Sequence, residues 1–322
     1  MDAVIERISS ILENASTPRR GTCTLPDKTI FPIDQTFFKA LPKADGNQVC
    51  ACIDGGNQEL IASPHLAVQY IRVVGVVFQG KRKQEMMKEE FFVVLSREGS
   101  RVRADCFPDP FTLSGDYSSS AQKAQKTQKE ATLTSSCSLS SIALDIRRAA
   151  EVRMGGTLIK TGFQGSIIVD GALDDHLCSL DLPKDVSLMA LSKTTDLISD
   201  EGISVVALLH SIAPPGSWCF VPPGVPGSLS FVRLHPLSRH IFRVETKGNA
   251  SLAPLVYHAQ DPAFLGYPYG LIIADKFARV TDQEKTYLRS ILDARVFLGR
   301  TRSILDAHSH LDAVNGPLQG KR

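Results

Sequence analysis

Two stretches constrain this chain more than any others: Val49-Cys50-Ala51-Cys52-Ile53-Asp54-Gly55-Gly56-Asn57 and Ser166-Ile167-Ile168-Val169-Asp170-Gly171. Each is a run of β-forming residues that reaches an aspartate and then glycine, so each reads as a buried strand with a carboxylate at its tip. Glycine lets the chain turn sharply there. Two such strands lying side by side would bring like charges together, and these repel unless a divalent cation sits between them. The simpler alternative is that each Asp caps the turn that follows it, as Asp-Gly often does.

The rest of the chain supplies an order of elements around these strands. Val4, Ile5, Ile8, Ile11 and Leu12 are spaced as the apolar stripe of a first helix. Coil bearing Pro and Gly is expected from Thr17 to about Asn47. Strands are expected at Val49 to Asp54, Val68 to Phe78 and Glu90 to Ser96, forming a meander across the charged turn Gln79-Gly80-Lys81-Arg82-Lys83. The polar, repetitive segment from Ser114 to Ser141 offers little to a core and reads as a flexible insertion. A helix follows from about Ser141 to Met154, with Gly155-Gly156 expected to end it. The Asp170 strand, a strand from Val186 to Leu191 and a helix from Glu201 to Ile212 come next. Leu229 to Leu234 and His240 to Glu245 form a hairpin around Pro236. A helix from Pro268 to about Arg279 precedes Thr281-Asp282-Gln283-Glu284, a capping box with Tyr287, Leu288, Ile291 and Leu292 as the buried stripe behind it.

Three strands in a meander, a helix, a strand ending in Asp170, another strand and late helices make the order of an RNase H-like core. The fold class expected is therefore α/β, with a mixed five-stranded sheet of meander plus parallel strands, flanking helices and an extra β-hairpin. In that topology the first and fourth strands are sheet neighbours, about 4.8 Å apart, which would set Asp54 beside Asp170. Helices on the sheet faces can add carboxylates, and Glu151 and Asp275 are the best placed in sequence. Four such oxygen-bearing groups would serve two Mg²⁺ or Mn²⁺ ions about 4 Å apart in phosphodiester hydrolysis. The absence of a good soft ligand argues against zinc.

These residues resemble the NurA nucleases, a family that partners the HerA translocase in processing DNA ends. The resemblance spans about Gln48 to Leu298. It is carried by Ile53-Asp54-Gly55-Gly56-Asn57, by Glu151 upstream of Val169-Asp170-Gly171-Ala172-Leu173, by Leu191-Ser192-Lys193-Thr194, by Phe231-Val232-Arg233-Leu234, and by Gly266-Tyr267-Pro268-Tyr269-Gly270-Leu271-Ile272-Ile273-Ala274-Asp275. It implies an RNase H-like homodimer that uses Mn²⁺ (or Mg²⁺), in single-strand endonuclease and 5′-to-3′ exonuclease action, for DNA end resection in double-strand break repair. By position, Asp54, Glu151 and Asp170 match the metal-binding carboxylates and Tyr267 a motif tyrosine. Asp275 stands where archaeal members often carry His after Ala. Bland readings remain beside these. Glu151 falls four residues after Arg147, as a helix ion pair would; Lys193 either steadies the scissile phosphate or closes a strand; Tyr267 before Pro268 is also a common way to begin a helix.

The domain organisation expected is an N-terminal helix and coil arm (1–47), a nuclease domain (48–300, with the insertion at 114–141) and a C-terminal helical tail (301–322). His308 and His310 in that tail read as surface residues. Composition excludes little: 43% hydrophobic and 22% charged residues with a net charge of +2 are ordinary for a globular protein. Between Arg72 and Arg103, eight Lys or Arg face four Glu, a mild basic bias that suits either a polyanion or a solvated hairpin. The seven cysteines are scattered without a CxxC pair, and Cys50 and Cys52 read as small core residues on one strand face. No apolar run approaches the ~20 residues of a membrane helix and no signal peptide opens the chain, so a cytoplasmic, nucleoid-associated protein is expected. The chain has no GxxxxGK[ST] loop, so motion along DNA would come from a partner. Two rivals remain: a non-catalytic RNase H-like DNA-binding or scaffolding subunit, and a sugar-kinase-like ATPase, which would need duplicated halves that this sequence lacks.

Overall fold

A computed structural model describes residues 4–7, 9, 21–44, 46–99, 101–108, 138–225 and 229–296. The segment 114–137, Cys137, the tail 301–322 with His308 and His310, and most of the N-terminal stripe (Ile8, Ile11, Leu12) lie outside these residues. Twelve strands are present among the described residues. They are β1 (Gly21–Thr24), β2 (Ile30–Ile33), β3 (Phe38–Lys39), β4 (Val49–Ala62), β5 (Leu66–Gln79), β6 (Arg82–Glu98), β7 (Arg101–Phe107), β8 (Gly165–Asp170), β9 (Val186–Ser192), β10 (Trp218–Phe220), β11 (Leu229–Arg233) and β12 (Phe242–Lys247). The helices are α1 (Leu139–Lys160), α2 (Asp175–Cys178), α3 (Val205–Ile212), α4 (Ala253–His258), α5 (Tyr269–Ala278) and α6 (Asp282–Val296).

β1 and β2 form a sheet of two, and the rest one mixed sheet of ten, ordered β3-β10-β11-β12-β9-β8-β4-β5-β6-β7. Its middle, β6-β5-β4-β8-β9, is the RNase H-like order: a meander, then the strand after the helix placed beside the first strand. β8 and β9 are parallel, with Asp170 opposite Leu191. The sheet is wider than the five strands expected because the β11–β12 hairpin continues it beyond β9 through an antiparallel β12, and β7 extends it beyond β6. β5 and β9 are rich in Val, Leu and Ala and are buried along nearly all their lengths, as strands covered on both faces must be.

The chain divides into two compact units: Met1–Cys52, Val76–Glu85 and Leu158–Ile272; and Ile53–Gly75, Met86–Thr157 and Ile273–Arg322. In the first unit, Cys23, Phe31, Ile33, Val205, Leu208, Trp218, Phe220 and Phe231 share one core. This corrects the coil expected from Thr17 to Asn47. Ile30-Phe31-Pro32-Ile33 alternates exposed and buried residues as a strand does, and Pro32, which cannot donate to a ladder, obscures the pattern. β3 joins the large sheet by pairing Phe38 with Phe220.

In the second unit, Leu60, Ile61, Val68, Tyr70 and Val280 form a core against which Phe92, Val94, Leu288 and Leu292 pack. The capping box forms: the N–H of Thr281 donates to Glu284 Oε2 at 2.9 Å, and the N–H of Glu284 to Thr281 Oγ1 at 3.2 Å. Arg72 ties it down, contacting Glu90 at 2.6 Å, Glu284 at 2.8 Å and the carbonyl of Arg279 at 3.0 Å. Tyr287, expected in the buried stripe of α6, is 65% exposed.

α1 runs straight through Gly155-Gly156, contrary to expectation. A glycine ends a helix by taking positive φ, and neither of these does. The stop is at Gly162 (φ +83), whose N–H reaches Ile159 O at 3.1 Å while that of Phe163 reaches Leu158 O at 3.2 Å, a Schellman closure. No helix among the described residues is long and apolar enough to cross a membrane.

Candidate active site

β8 behaves as its sequence indicates. Ile167, Ile168 and Val169 are buried, and the strand stops at Asp170 because Gly171 turns with φ +100 and gives its N–H to Leu191 O at 2.9 Å. β9 ends at Ser192, one residue past the register partner of Asp170, and Lys193 follows. Its Nζ stands 2.7 Å from Asp170 Oδ2 and 5.1 Å from the centroid of the Tyr267 ring. The Tyr267 ring in turn lies 5.6 Å from that of Phe242 on β12. An acid, a cation and an aromatic ring therefore meet at the carboxyl end of β8, partly open to solvent, all three drawn from the first unit.

The second unit holds Asp54, Glu151 and Asp275. Asp54 is not at a strand tip, which corrects the reading of the first motif. β4 continues through Gly55, Gly56 and Asn57 to Ala62, and neither glycine has positive φ. They serve close approach instead. A β-carbon on Gly55 would stand 2.6 Å from Glu151 Oε1, and one on Gly56 would stand 2.3 Å from the Ala278 carbonyl oxygen. The strand thus carries two bare positions, one against α1 and one against the end of α5. Asp54 is buried, and one of its oxygens accepts from the N–H of Gly55 at 2.8 Å.

Glu151 is buried on α1 between two guanidinium groups. Arg147 Nη1 lies 3.1 Å from Oε1 and Arg148 Nη1 lies 2.7 Å from Oε2. Arg147 also donates to the Gly55 carbonyl. The ion pair considered for Glu151 is therefore present and doubled, its carboxylate buried and its two guanidinium groups half-buried. Asp275 is exposed on α5, one residue after the buried Ala274. Among the described residues, no three His, Cys, Asp or Glu side chains form a group that could hold a metal ion.

Two features had little signal in the sequence. Arg148 is visible only as an i, i+3 neighbour of Glu151. His258, on α4, is buried; its Nδ1 accepts from the N–H of Gly270 at 3.0 Å and its Nε2 lies 3.4 Å from Cys50 Sγ. It thereby caps the first turn of α5 from inside the core, and hydrogen bonds from Cys52 and then His258 hold the Cys50 thiol below its ordinary range against the effect of burial. A single His between Tyr257 and Ala259 gives no warning of this.

The fold is NurA-like. The NurA nuclease from Sulfolobus solfataricus superposes with a TM-score of 0.51 over 91% of this chain and 94% of that one, at 11% identity. A Ciona intestinalis endonuclease V, in complex with a 23mer DNA containing an inosine followed by a ribo-adenosine, is similar at a TM-score of 0.41, with 13% identity, over 88% of this chain and 98% of that one. At such identities the likeness is one of fold alone. No family model matches the chain, and no curated protein matches it in sequence.

Proposed function

We propose that this protein is a divalent-metal-dependent DNA nuclease of the NurA kind, cutting single strands internally and degrading them from 5′ to 3′ during resection of double-strand breaks, as a homodimer fed by a HerA-like hexameric translocase. The observation that carries the reading is the meeting of Asp170, Lys193 and Tyr267 at the end of β8, in a sheet whose strand order is that of RNase H-like proteins. Asp54, Glu151, Asp170 and Asp275 are the residues proposed to hold two Mn²⁺ or Mg²⁺ ions. Carboxylate oxygens suit a hard divalent ion in kind, while among the described residues no three such side chains stand grouped to hold one. When bound, such ions activate water and neutralise charge on the leaving oxygen.

The chain's own residues would do the rest. Lys193 offers an ammonium to a phosphate oxygen once Asp170 is otherwise engaged, and the Tyr267 face beneath it keeps that ammonium in place by cation–π attraction. Arg147, bonded to both Glu151 and the Gly55 carbonyl, fixes the carboxylate of α1 relative to the strand that bears Asp54. One observation favours the second reading, a non-catalytic RNase H-like DNA-binding subunit: both Glu151 oxygens already have arginine partners. Purified protein incubated with labelled single-stranded DNA, with Mn²⁺ and with EDTA, separates the two. Mn²⁺-dependent cleavage that disappears in Asp170→Asn supports the nuclease; binding without cleavage at any Mn²⁺ concentration supports the subunit.

A further inference from the structure

Two loops of the first unit meet at Gly266 with no room for a side chain. Gly266 has φ +88, and a β-carbon there would stand 2.3 Å from Cβ of the buried Ser238. Around this seam the chain turns its apolar side chains outward: Leu237 is 76% exposed, Phe264 49% and Leu265 36%. Neither loop is loosely held. Arg233 donates to the carbonyls of Ser238 and Pro236, each at 2.7 Å, which clamps the turn that presents Leu237. On the other side the N–H of Phe264 bonds Asp261 O at 3.1 Å, that of Tyr267 bonds Phe264 O at 3.0 Å, and that of Gly266 bonds Ala259 O at 2.9 Å. Phe264 is thus three residues from Tyr267, within one hydrogen-bonded turn of the ring that carries the Lys193 ammonium.

Basic side chains outnumber acids in these two loops. The loop 235–240 contains His235, Arg239 and His240 and no acid, and Arg239 and His240 are exposed. The loop 261–267 contains a single acid, Asp261, whose Oδ2 lies 3.7 Å from Lys81 Nζ. Rigidly presented apolar side chains in a cationic frame match a polyanion that also exposes flat apolar rings. Single-stranded nucleic acid is that ligand, because a duplex hides its bases in its own stack. Resting on the nuclease reading for its substrate class, we propose that Phe264 stacks on an unpaired base, flanked by the apolar contacts of Leu237 and Leu265, with Arg239, His240 and Lys193 beside the phosphates. This platform selects single strands and sets them next to Asp170.

The test compares binding, without cleavage, of two fluorescein-labelled 20-mers in EDTA: oligo(dT), and an abasic strand of the same length and charge. Stacking contributes enough per base that the full-length protein is expected to bind oligo(dT) about tenfold more tightly than the abasic strand. Phe264→Ala and the pair Leu237→Ser with Leu265→Ser should bring oligo(dT) down to the abasic level and leave abasic binding unchanged. Phe264→Trp should keep the preference, and oligo(dT) should quench its added emission, since the native Trp218 is buried. Equal affinity of the unmodified protein for both strands, or a preference that survives Phe264→Ala, overturns the proposal. So does a change in oligomeric mass by light scattering in the Leu237→Ser, Leu265→Ser protein with the base preference intact, which would make the patch a contact between copies. A protein that prefers bases yet cleaves neither strand with Mn²⁺ leaves the platform standing and removes the nuclease reading.

Discussion

Glu151 Oε1 lies where the side chain of residue 55 would begin: a β-carbon on Gly55 would stand 2.6 Å from it. Glu151 cannot swing away, because Arg147 and Arg148 hold it from both sides. Gly55→Ala is therefore expected to cost about 1–3 kcal/mol of stability through overpacking, and Gly56→Ala more, since its obstacle is the Ala278 carbonyl at 2.3 Å rather than a side chain. Urea unfolding measures both. Midpoints equal to that of the unmodified protein would show that the helices do not press on β4 as described.

Two of the proposed ligands, Asp54 and Asp170, should separate activity from stability. Asp54→Ala and Asp170→Asn are each expected to lower Mn²⁺-dependent cleavage by about 100-fold or more, as loss of a metal-held transition state does, while thermal unfolding shifts by only a few degrees. Near-normal cleavage by either variant at saturating Mn²⁺ would remove that residue from the ligand set.

Glu151 should behave differently. Glu151→Gln leaves two half-buried guanidinium groups facing a neutral amide, and weakening charge-assisted hydrogen bonds to a buried group in this way typically costs about 1–3 kcal/mol. Replacing Arg148 by Leu in the same chain removes one orphaned charge and should restore part of that loss. Cleavage should stay absent in both proteins. Recovery of cleavage along with stability would mean that Glu151 matters to the fold and not to the chemistry.

The connection between α5 and α6 should lose part of its stabilisation as pH falls. The hydrogen bond from Arg72, then that from the Thr281 backbone, holds the Glu284 carboxyl down to about 2 from an ordinary 4.5. A group depressed on folding stabilises the protein fully above its unfolded value and loses that contribution as pH falls through the folded one. The difference in melting temperature between the unmodified protein and Glu284→Gln should thus be constant above about pH 5 and shrink between pH 4.5 and 2. A difference that persists unchanged at pH 2.5 would show that the Arg72–Glu284 bond is not its source.

The central strands were legible because their composition is extreme. The apolar cores of Leu66–Gln79 and Val186–Ser192 have few alternatives to a covered sheet, and the order of elements then left one topology to expect. Asp170-Gly171 was also legible, because a strand end and a positive-φ glycine coincide there. Asp54-Gly55-Gly56 carries the same letters with a different cause. Its glycines make room for Glu151 and Ala278, residues about a hundred and two hundred positions away, and no local pattern distinguishes a turn from a close approach. Gly155-Gly156 misled for the same reason. His258 and Arg148 act through partners brought close by folding alone. Ile30–Ile33 failed because a single proline outweighed a two-residue period that becomes evident once Phe31 and Ile33 are seen buried.

The two margins of the ten-stranded sheet bear on how the protein behaves at high concentration. One margin is β3, two residues long. The other is β7, which carries Arg101, Arg103 and Asp105 and is followed at once by Pro108. An incoming strand finds almost nothing to bond on the first side and a row of charges ending in a missing donor on the second. Wide sheets with long, flat, apolar borders recruit further strands and grow into fibres; among the described residues this one is bounded by a short strand and a charged one, so its solutions should age without thickening into gels.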